Sequence, residues 1–571
     1  MFGKVLIANR GEIAVRVART CRELGVATVA VHSDVDAEAR HVAAADEAVH
    51  LPGVSAVETY LNLDAVIGAA IQTGAEAVHP GYGFFSERAD AAEAFLDARV
   101  VWIGPPPEAT RAVGDKVSAR RLASEAGVSV VPGTLQPIEG EGEVHAFGEA
   151  NGYPIAIKAA GGGGGRGLKV ARSPDEVAAA LESAVREAEA YFGSREVYLE
   201  RYLERPKHVE VQVLSPAPGR AMWLGARDCS LQRRHQKLVE ETPPPRFAEV
   251  VPPMGRDAVA VADACGYVNA GTVEFLVDDD GSFYFLEVNA RLQVEHTITE
   301  EVVGLDLVAC QLRIAAGDDL GLEQADFEPG GRIEPRGHAI ECRINAEDPA
   351  RDFRPGPGRI TAYREPAGPG VRVDSGYGEG DEVPRAYDSL VAKLVVHASG
   401  REEARRRMLR ALREYRIQGI PTTIPAHLAL LQDEEFVDGS YTTLTVGAGA
   451  LDALRAARTT EPSRGGGAPA LRVGGSSVRL WNPGMAASAP HATSRSGGGA
   501  ASGVVTSPMH GTILQMDVKP GDRVQPGDSV AVLEAMKMET RVTASRRGEV
   551  SAVHVAAGQV VEAGQPIAEI G

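Results

Sequence analysis

Apolar residues in the first hundred positions follow two alternating patterns. Short continuous runs, VLIA at 5–8, TVAVHS at 28–33, AEAVHP at 75–80 and VVWIGP at 100–105, read as buried strands, while the segment from about Glu12 to Leu24 carries its apolar residues at helical spacing. Strands alternating with amphipathic helices predict a parallel, Rossmann-like α/β sheet over 1–113. NRGEIA, which follows the first strand, has one glycine where a dinucleotide fingerprint needs three, so this sheet reads as a scaffold. Over 114–322 the pattern changes to helices and hairpin strands around a run of glycines, and a further α+β segment over 333–446 contains HAIECRINA, VRVDSG and SLVAKLVVH.

Packed periodicity stops after residue 449. TTEPSRGGGAPA and AASAPHATSRSGGGAASG are the composition of a flexible linker, expected over 449–503, and a fifty-residue coil of this kind has an r.m.s. reach of roughly 40 Å. LRVGGSSVRLW at 471–481 interrupts it as a short apolar segment. The tail, 504–571, repeats itself at an offset of 37 residues: Ile513, Val518, Gly521, Val524, Gly527, Val530, Ala531 and Leu533 recur as Val550, Val555, Gly558, Val561, Gly564, Ile567, Ala568 and Ile570. Two similar halves of short strands and glycine turns predict a small all-β flattened barrel. Lys537, in EAMKMET, falls where the first half ends and the second begins.

Charge removes several functional classes. Acidic residues (78) outnumber basic ones (59) for a net charge of −19, which offers no basic footprint for a nucleic acid or an anionic membrane surface. No apolar run approaches the roughly 18–20 residues of a membrane span, and MFGKVLIANRGE reads as a strand and turn rather than a leader, so a cytoplasmic protein is expected. Cysteines at 21, 229, 265, 310 and 342 form no C-x-x-C pair, which argues against a disulfide framework and against a zinc site. The chain holds 50 arginines but nine lysines, so each lysine marks a place where arginine does not substitute: 4, 116, 158, 169, 207, 237, 393, 519 and 537.

Three local patterns carry chemistry. Glycines 161–165, Arg166 and Gly167 lie between strand-like PIAIKAA and LKVARS, a hairpin loop able to bring backbone N–H groups onto phosphates, with Lys158 and Lys116 as nearby cations. In VEFLVDDDGSFYFLEVN, a two-residue Asp280–Gly281 turn would set Glu274 opposite Glu287; like charges so paired call for a cation between them, and magnesium fits, with Asn289 as a further oxygen ligand. A solvated sheet edge is the alternative. Lys537 between two methionines at a hairpin tip suits an amine that an enzyme must recognise and acylate.

HPGYGFFSE at 79–87, GDKVSA, IKAAGGGGGRG, RRHQK, GTVEFL, EVNARLQVEH, GHAIECRINAED at 337–348 and YDSLVAKL at 387–394 follow one another in the order of a known family. Residues 1–446 resemble the biotin carboxylase subunit of the biotin-dependent carboxylases, an ATP-grasp fold, and 504–571 resemble the biotinyl, or biotin carboxyl carrier, domain. Together they resemble the α subunit of a bacterial acyl-CoA carboxylase. The resemblance implies ATP against Lys116, Lys158, Gly164, Gly165, Glu200, Leu203, His208 and Gln232, with His235 and Leu276 lining the pocket. It implies magnesium or manganese on Glu274, Glu287 and Asn289; bicarbonate on Lys237, Arg291, Gln293 and Val294; Glu295 as general base; and the biotin ring near Arg343 and Tyr82. Glu295, Arg291 and Lys237 are the implied catalytic group. Satisfied core groups remain the alternative for His208 and Gln232, and a packing aromatic for Tyr82.

The same resemblance implies biotin on Lys537, attached by a biotin protein ligase, and a separate carboxyltransferase β subunit in a hetero-oligomer. That partner carboxylates an acyl-CoA, with acetyl-CoA or propionyl-CoA preferred over pyruvate or another acyl-CoA. One departure stands out: propionyl-type α subunits place a sizeable partner-binding domain between carboxylase and carrier, where this chain has only 449–503. A carbamoyl-phosphate-type ATP-grasp ligase would share the phosphate and bicarbonate chemistry but has no use for Lys537. A non-catalytic carrier would need only 504–571.

Overall fold

The computed structural model describes residues 1–134, 136–159, 168–192, 195–234, 236–452, 454, 470–473, 476–479, 503–508, 511–535, 538–562 and 564–571. Met1–Pro349, Gly356–Pro384 and Leu390–Leu451 form one compact unit, and Ala350–Pro355, Arg385–Ser389 and Asp452–Gly571 the other.

The N-terminal strands β1 (Lys4–Ile7), β2 (Ala27–His32), β3 (Glu47–His50), β4 (Ala77–His79) and β5 (Val101–Trp102) form a five-stranded sheet in the order β3-β2-β1-β4-β5, and every pair in it is parallel. β1 runs at its centre with Val5, Leu6 and Ile7 fully buried, which is why its sequence is uninterrupted hydrocarbon. β3 escapes sequence reading because an edge strand does not need apolar residues: EAVH is mostly exposed. The helix Gly11–Glu23 lies close to its expected span.

β6 (Ile155–Ala159), β7 (Leu168–Ala171) and β8 (Val197–Arg201) form a small antiparallel sheet with β6 in the middle. β6 and β7 pair as a hairpin, as their sequences predict; the glycine run that joins them, including Gly164 and Gly165, lies outside the described residues.

Among the described residues the largest sheet has eight strands. β9 (Lys207–Ser215), β10 (Met222–Arg233), β11 (Gln236–Thr242), β12 (Asn269–Val277), β13 (Phe283–Asn289) and β14 (His338–Asn345) are joined by Leu390–Ala398 and Val371–Ser375, in the order β13-β12-β9-β10-β11-β14-(390–398)-(371–375). All its pairings are antiparallel. The sequence reads 333–446 as a separate segment, yet β11 pairs with β14 from Val239↔Cys342 to Thr242↔Ala339, so one sheet runs through that boundary. Periodicity identifies strands but not their neighbours, and this junction shows only in the pairing.

In the second unit, two four-stranded sheets enclose a core of Ile513, Val524, Val530, Leu533, Val550, Val561, Ile567 and Ile570. The repeat extends to the turns: Asp522 Oδ2 accepts from the Lys519 N–H as Gln559 Oε1 does from Ala556, and Asp528 Oδ2 accepts from Gln525 as Gln565 Oε1 does from Glu562. Gly521, Gly527, Gly558 and Gly564 all have φ between +84° and +97°, the left-handed backbone that makes glycine recur at these corners. Strands Ser529–Ala535 and Met538–Thr543 pair up to Ala535↔Met538; Lys537, expected at a hairpin tip, lies outside the described residues, like most of 449–503.

Candidate active site

One file of charged residues crosses the large sheet. Glu287 on β13, Glu274 on β12, Glu210 on β9 and Arg227 on β10 are register partners of one another in turn. Sequence reading places Glu274 opposite Glu287 through a two-residue turn, and the structure corrects the route while keeping the pairing. The Asp278 N–H donates to the Ser282 carbonyl at 2.8 Å, closing a three-residue loop over 279–281. That loop alone would face Glu274 with Leu286; a bulge, across which the partner changes from Phe285 to Glu287, restores the match. In HVEVQV, His208, Glu210 and Gln212 alternate with Val209, Val211 and Val213, and both faces are buried, the valines in a hydrophobic cluster and the polar residues in the site.

Lys237 sits among these carboxylates. Its Nζ donates to Glu210 Oε2 at 2.5 Å, Glu295 Oε1 at 2.7 Å and Glu274 Oε1 at 3.0 Å. A bulge in the β10–β11 pairing between Lys237 and Val239 turns Lys237 to the face that also carries Glu240. Glu274 Oε1 further accepts from Asn289 Nδ2 at 2.9 Å and Gln293 Nε2 at 3.1 Å, and His208 Nε2 lies 2.9 Å from Glu274 Oε2. Arg227, fully buried, donates through Nε to Glu210 Oε1 at 2.6 Å and through its Nη groups to Gln212, Thr299 and Thr272. Arg343 bridges Glu240 Oε1 at 2.6 Å and Glu295 Oε2 at 2.9 Å. Arg291 donates to Asn289 Oδ1 at 2.9 Å and Gln293 Oε1 at 2.8 Å, and its Nε lies 3.1 Å from Glu87 Oε2.

Buried ions each lose several kcal/mol of solvation and are stable only when closely matched. The balance shows in their proton affinities. Burial pushes the Glu295 carboxyl up, but Lys237, then Arg343 and Arg227, outweigh it and hold Glu295 well below the usual carboxylate range. Glu274 is lowered for the same reason, burial being overcome by Lys237 and His208. Lys237 moves the other way: burial lowers it, and Glu210, Glu295 and Glu274 together raise it well above the usual lysine value.

Beside this cluster, Lys158 on β6 pairs with Glu200 on β8, whose other oxygen accepts from Arg120 Nη1 at 2.6 Å. Lys116 opens the helix Lys116–Glu125, and its exposed ammonium lies 3.2 Å from Glu287 Oε2. Burial, then the charges of Arg120 and Lys116, pull Lys158 down to about 8, which identifies a place where cations crowd one another and an anion would relieve them.

The structure therefore connects Lys237, Glu274, Glu295, Arg291, Gln293, Asn289, His208 and Arg343 by direct contacts, and Lys158 with Glu200 and Lys116 with Glu287 as two satellite pairs. Gln232 and Leu276 enter as register partners of Lys237 and His208 respectively, and Leu203 is buried just after β8. Val294 takes part through its carbonyl, which accepts from Lys393 Nζ at 3.1 Å; the same ammonium lies 5.8 Å from the centre of the Tyr82 ring. His235 lies outside the described residues. Sequence reading missed Glu210, Arg227, Glu240 and Glu87. The signal for Glu210 was present: a strand with polar residues on alternate positions inside an otherwise apolar segment.

Comparison with known proteins agrees with this architecture. Residues 1–110 match the biotin carboxylase N-terminal domain, 115–323 the carbamoyl-phosphate synthase L chain ATP binding domain, 341–447 the biotin carboxylase C-terminal domain, and 503–570 the biotin-requiring enzyme family. The chain is 44% identical to the biotin-dependent acyl-coenzyme A carboxylase alpha3 subunit of Mycobacterium leprae, over 100% of its own length and 98% of that protein's. The chain belongs to the biotin-dependent carboxylases. Its catalytic part is a biotin carboxylase, an ATP-grasp ligase, and its C-terminal barrel a biotinyl-type domain. The biotin carboxylase of Nostoc is 49% identical over 77% of this chain and 98% of its own. Among solved structures, the biotin carboxylase domain dimer of Hydrogenobacter thermophilus 2-oxoglutarate carboxylase, in complex with MgADP, ADP and bicarbonate, matches with a TM-score of 0.70 at 43% identity, covering 79% of this chain and 98% of that one. The biotin carboxylase subunit of a pyruvate carboxylase matches at 0.73 and 43%, covering 80% and 99%.

Proposed function

We propose that this chain is the α subunit of an acyl-CoA carboxylase, which carboxylates biotin carried on its own Lys537 with ATP and bicarbonate for transfer by a separate carboxyltransferase β subunit. The observation that carries the reading is the union, in one chain, of the buried Lys237–Glu210–Glu274–Glu295–Arg343 cluster with a biotinyl barrel, matched end to end by an acyl-CoA carboxylase α subunit. That full-length match also runs through 449–503, so a short connection between carboxylase and carrier is compatible with an acyl-CoA carboxylase.

Bicarbonate is a poor nucleophile until it loses its proton, and Glu295 is the carboxylate aimed at that task. With both oxygens paired to cations, it is a weak base in the structure as it stands. An anion held by Lys237, Arg291, Gln293 and the Val294 backbone competes for those cations and raises the proton affinity of Glu295 as the substrate arrives, so the base is activated by the anion it deprotonates. Attack of the bicarbonate oxygen on the γ-phosphate of ATP breaks its bond to the β-phosphate, releases ADP and yields carboxyphosphate, which breaks down to CO₂ and phosphate, and Lys116 and Lys158 absorb charge on the transferring group. Arg291 and Arg343 are the planar cations that would face the ureido oxygen of a biotin ring. Glu274 and Glu287, register partners with hard oxygen donors and Asn289 beside them, suit magnesium, which would neutralise phosphate charge when bound. Biotin, attached by a biotin protein ligase, would supply a ureido nitrogen that accepts the CO₂ and gives up its proton to the released phosphate.

The acceptor is set by the partner. The biotin carboxylase parts of a 2-oxoglutarate carboxylase and of a pyruvate carboxylase are each 43% identical to this chain, so likeness in the catalytic part does not distinguish acceptors. The test is fixation of labelled bicarbonate into acetyl-CoA, propionyl-CoA or pyruvate by the chain with its copurified β subunit. Labelled malonyl-CoA or methylmalonyl-CoA supports the reading, and labelled oxaloacetate alone overturns it.

A further inference from the structure

Glu240 on β11 and Glu341 on β14 are register partners on adjacent strands, which sets their side chains on one face with Cβ atoms about 5 Å apart. Both are fully buried. Each has one satisfied oxygen: Glu240 Oε1 accepts from Arg343 Nε at 2.6 Å, and Glu341 Oε2 from the Thr297 hydroxyl. The other oxygens, Glu240 Oε2 and Glu341 Oε1, are buried with no hydrogen-bond partner among the described residues. Two anions in that position would repel across the strands and leave two buried oxygens without a donor, a cost that the single Arg343 contact to Glu240 does not offset for both.

Charge counting gives the same answer. Lys237, Arg227 and Arg343 face Glu210, Glu274, Glu295, Glu240 and Glu341, with His208 on Glu274: three fixed cations against five carboxylates. Lys393 is the next cation toward Glu341, and it is committed to Glu12 at 3.2 Å and to the Val294 carbonyl. Cys229 and Cys342, the remaining titratable neighbours, are raised well above the usual thiol range by burial and stay neutral.

We infer that Glu240 and Glu341 share one proton, forming a buried acid pair that carries a single negative charge and positions Arg343 against Glu295. The inference rests on the carboxylase reading for its catalytic part alone. Burial raises Glu240 to about 8 and Glu341 to about 7, against the pull of Arg343 on the first and of Lys393 and Arg343 on the second, which agrees with one proton held near neutrality. Glu240 acts through Arg343 and is a positioning residue. When the shared proton is lost, the pair becomes a dianion that draws Arg343 away from Glu295.

The test is infrared difference spectroscopy on the full-length protein, with Glu240→Gln and Glu341→Gln, whose amides match a neutral carboxyl in size. Wild type minus either variant should show the same single carboxylic-acid carbonyl band near neutral pH, shifted in D₂O, because removing one partner lets the other ionise. Absence of the band from both differences, or two distinct bands each lost with its own residue, would overturn the shared proton. Where a variant does not fold, titration of the wild-type band between about pH 6 and pH 9 decides: one acid lost is expected, and none refutes. In bicarbonate-dependent ATP cleavage with free biotin, the alkaline limb of kcat should move by about one pH unit in the variants, with the KM for ATP within about twofold. Superimposable profiles overturn the positioning role. The spectra need no turnover, so a band in a protein without carboxylase activity would sink the proposed function and leave the acid pair standing.

Discussion

Replacing Lys237 by glutamine removes the one cation that three buried carboxylates share. Glu210, Glu274 and Glu295 each accept a hydrogen bond from its Nζ within 3.0 Å, and Lys237 is nearly inaccessible to solvent. Breaking a buried ion pair by removing one partner costs about 3–5 kcal/mol, because the remaining charge is left desolvated. The pH dependence separates this cause from a packing defect. In the wild type, Glu274 and Glu295 are held below their ordinary values, so their contribution is present above the unfolded value near pH 4 and is lost only as pH falls through the lowered folded values. In Lys237→Gln burial prevails, the carboxyls rise above that value, and stability is lost as pH rises through them. The deficit should therefore be small near pH 5 and reach about 3–5 kcal/mol near pH 8. Urea unfolding followed by tryptophan fluorescence reads it, since Trp102 and Trp223 lie in the first compact unit. A deficit that is equal at the two pH values, or below about 1 kcal/mol at pH 8, would refute the account of the cluster as a matched set of charges.

Glu295→Gln should bind ATP with near-normal affinity and lose about 10²–10⁴-fold in kcat, because a general base contributes roughly that factor. Arg291→Lys keeps the charge but discards the fork that spans Asn289, Gln293 and Glu87; steady-state assays with free biotin should show biotin carboxylation falling more than ATP affinity. Parallel loss of nucleotide binding in both variants would make these residues supports of the ATP pocket. Glu274→Gln and Glu287→Gln should raise the magnesium concentration needed for half-maximal ATP cleavage, and an unchanged magnesium requirement in both would remove them from the metal site.

Sequence patterns revealed what is local. The parallel strands, the repeat at 37 residues and the β12–β13 hairpin are each written in adjacent residues, and even where the turn differs, the bulge returns Glu287 to Glu274. The Gly521 and Gly558 corners were legible because a positive φ leaves a glycine in the sequence. What sequence did not reveal is non-local. Glu210 meets Lys237 across 27 residues, Arg343 meets Glu240 across 103, and Lys393 reaches Val294 across 99, through strand pairings that carry no short-range signature. Lys237 and Arg343 were read as holding bicarbonate and biotin, while their carboxylate partners were invisible until β11 was seen beside β14. Rarity pointed to the lysines, and only the sheet showed what each one neutralises.

The central claim is that one chain makes carboxylated biotin on its own carrier. Purified, biotinylated protein incubated with ATP, magnesium and labelled bicarbonate should acquire an acid-labile label in proportion to ADP formed. Lys537→Arg, which keeps the charge and removes the acylable amine, should acquire none and show no streptavidin signal, yet still cleave ATP in a bicarbonate-dependent way when free biotin is added. Label retained on Lys537→Arg, or ATP cleavage by the wild type that ignores bicarbonate, would contradict the account.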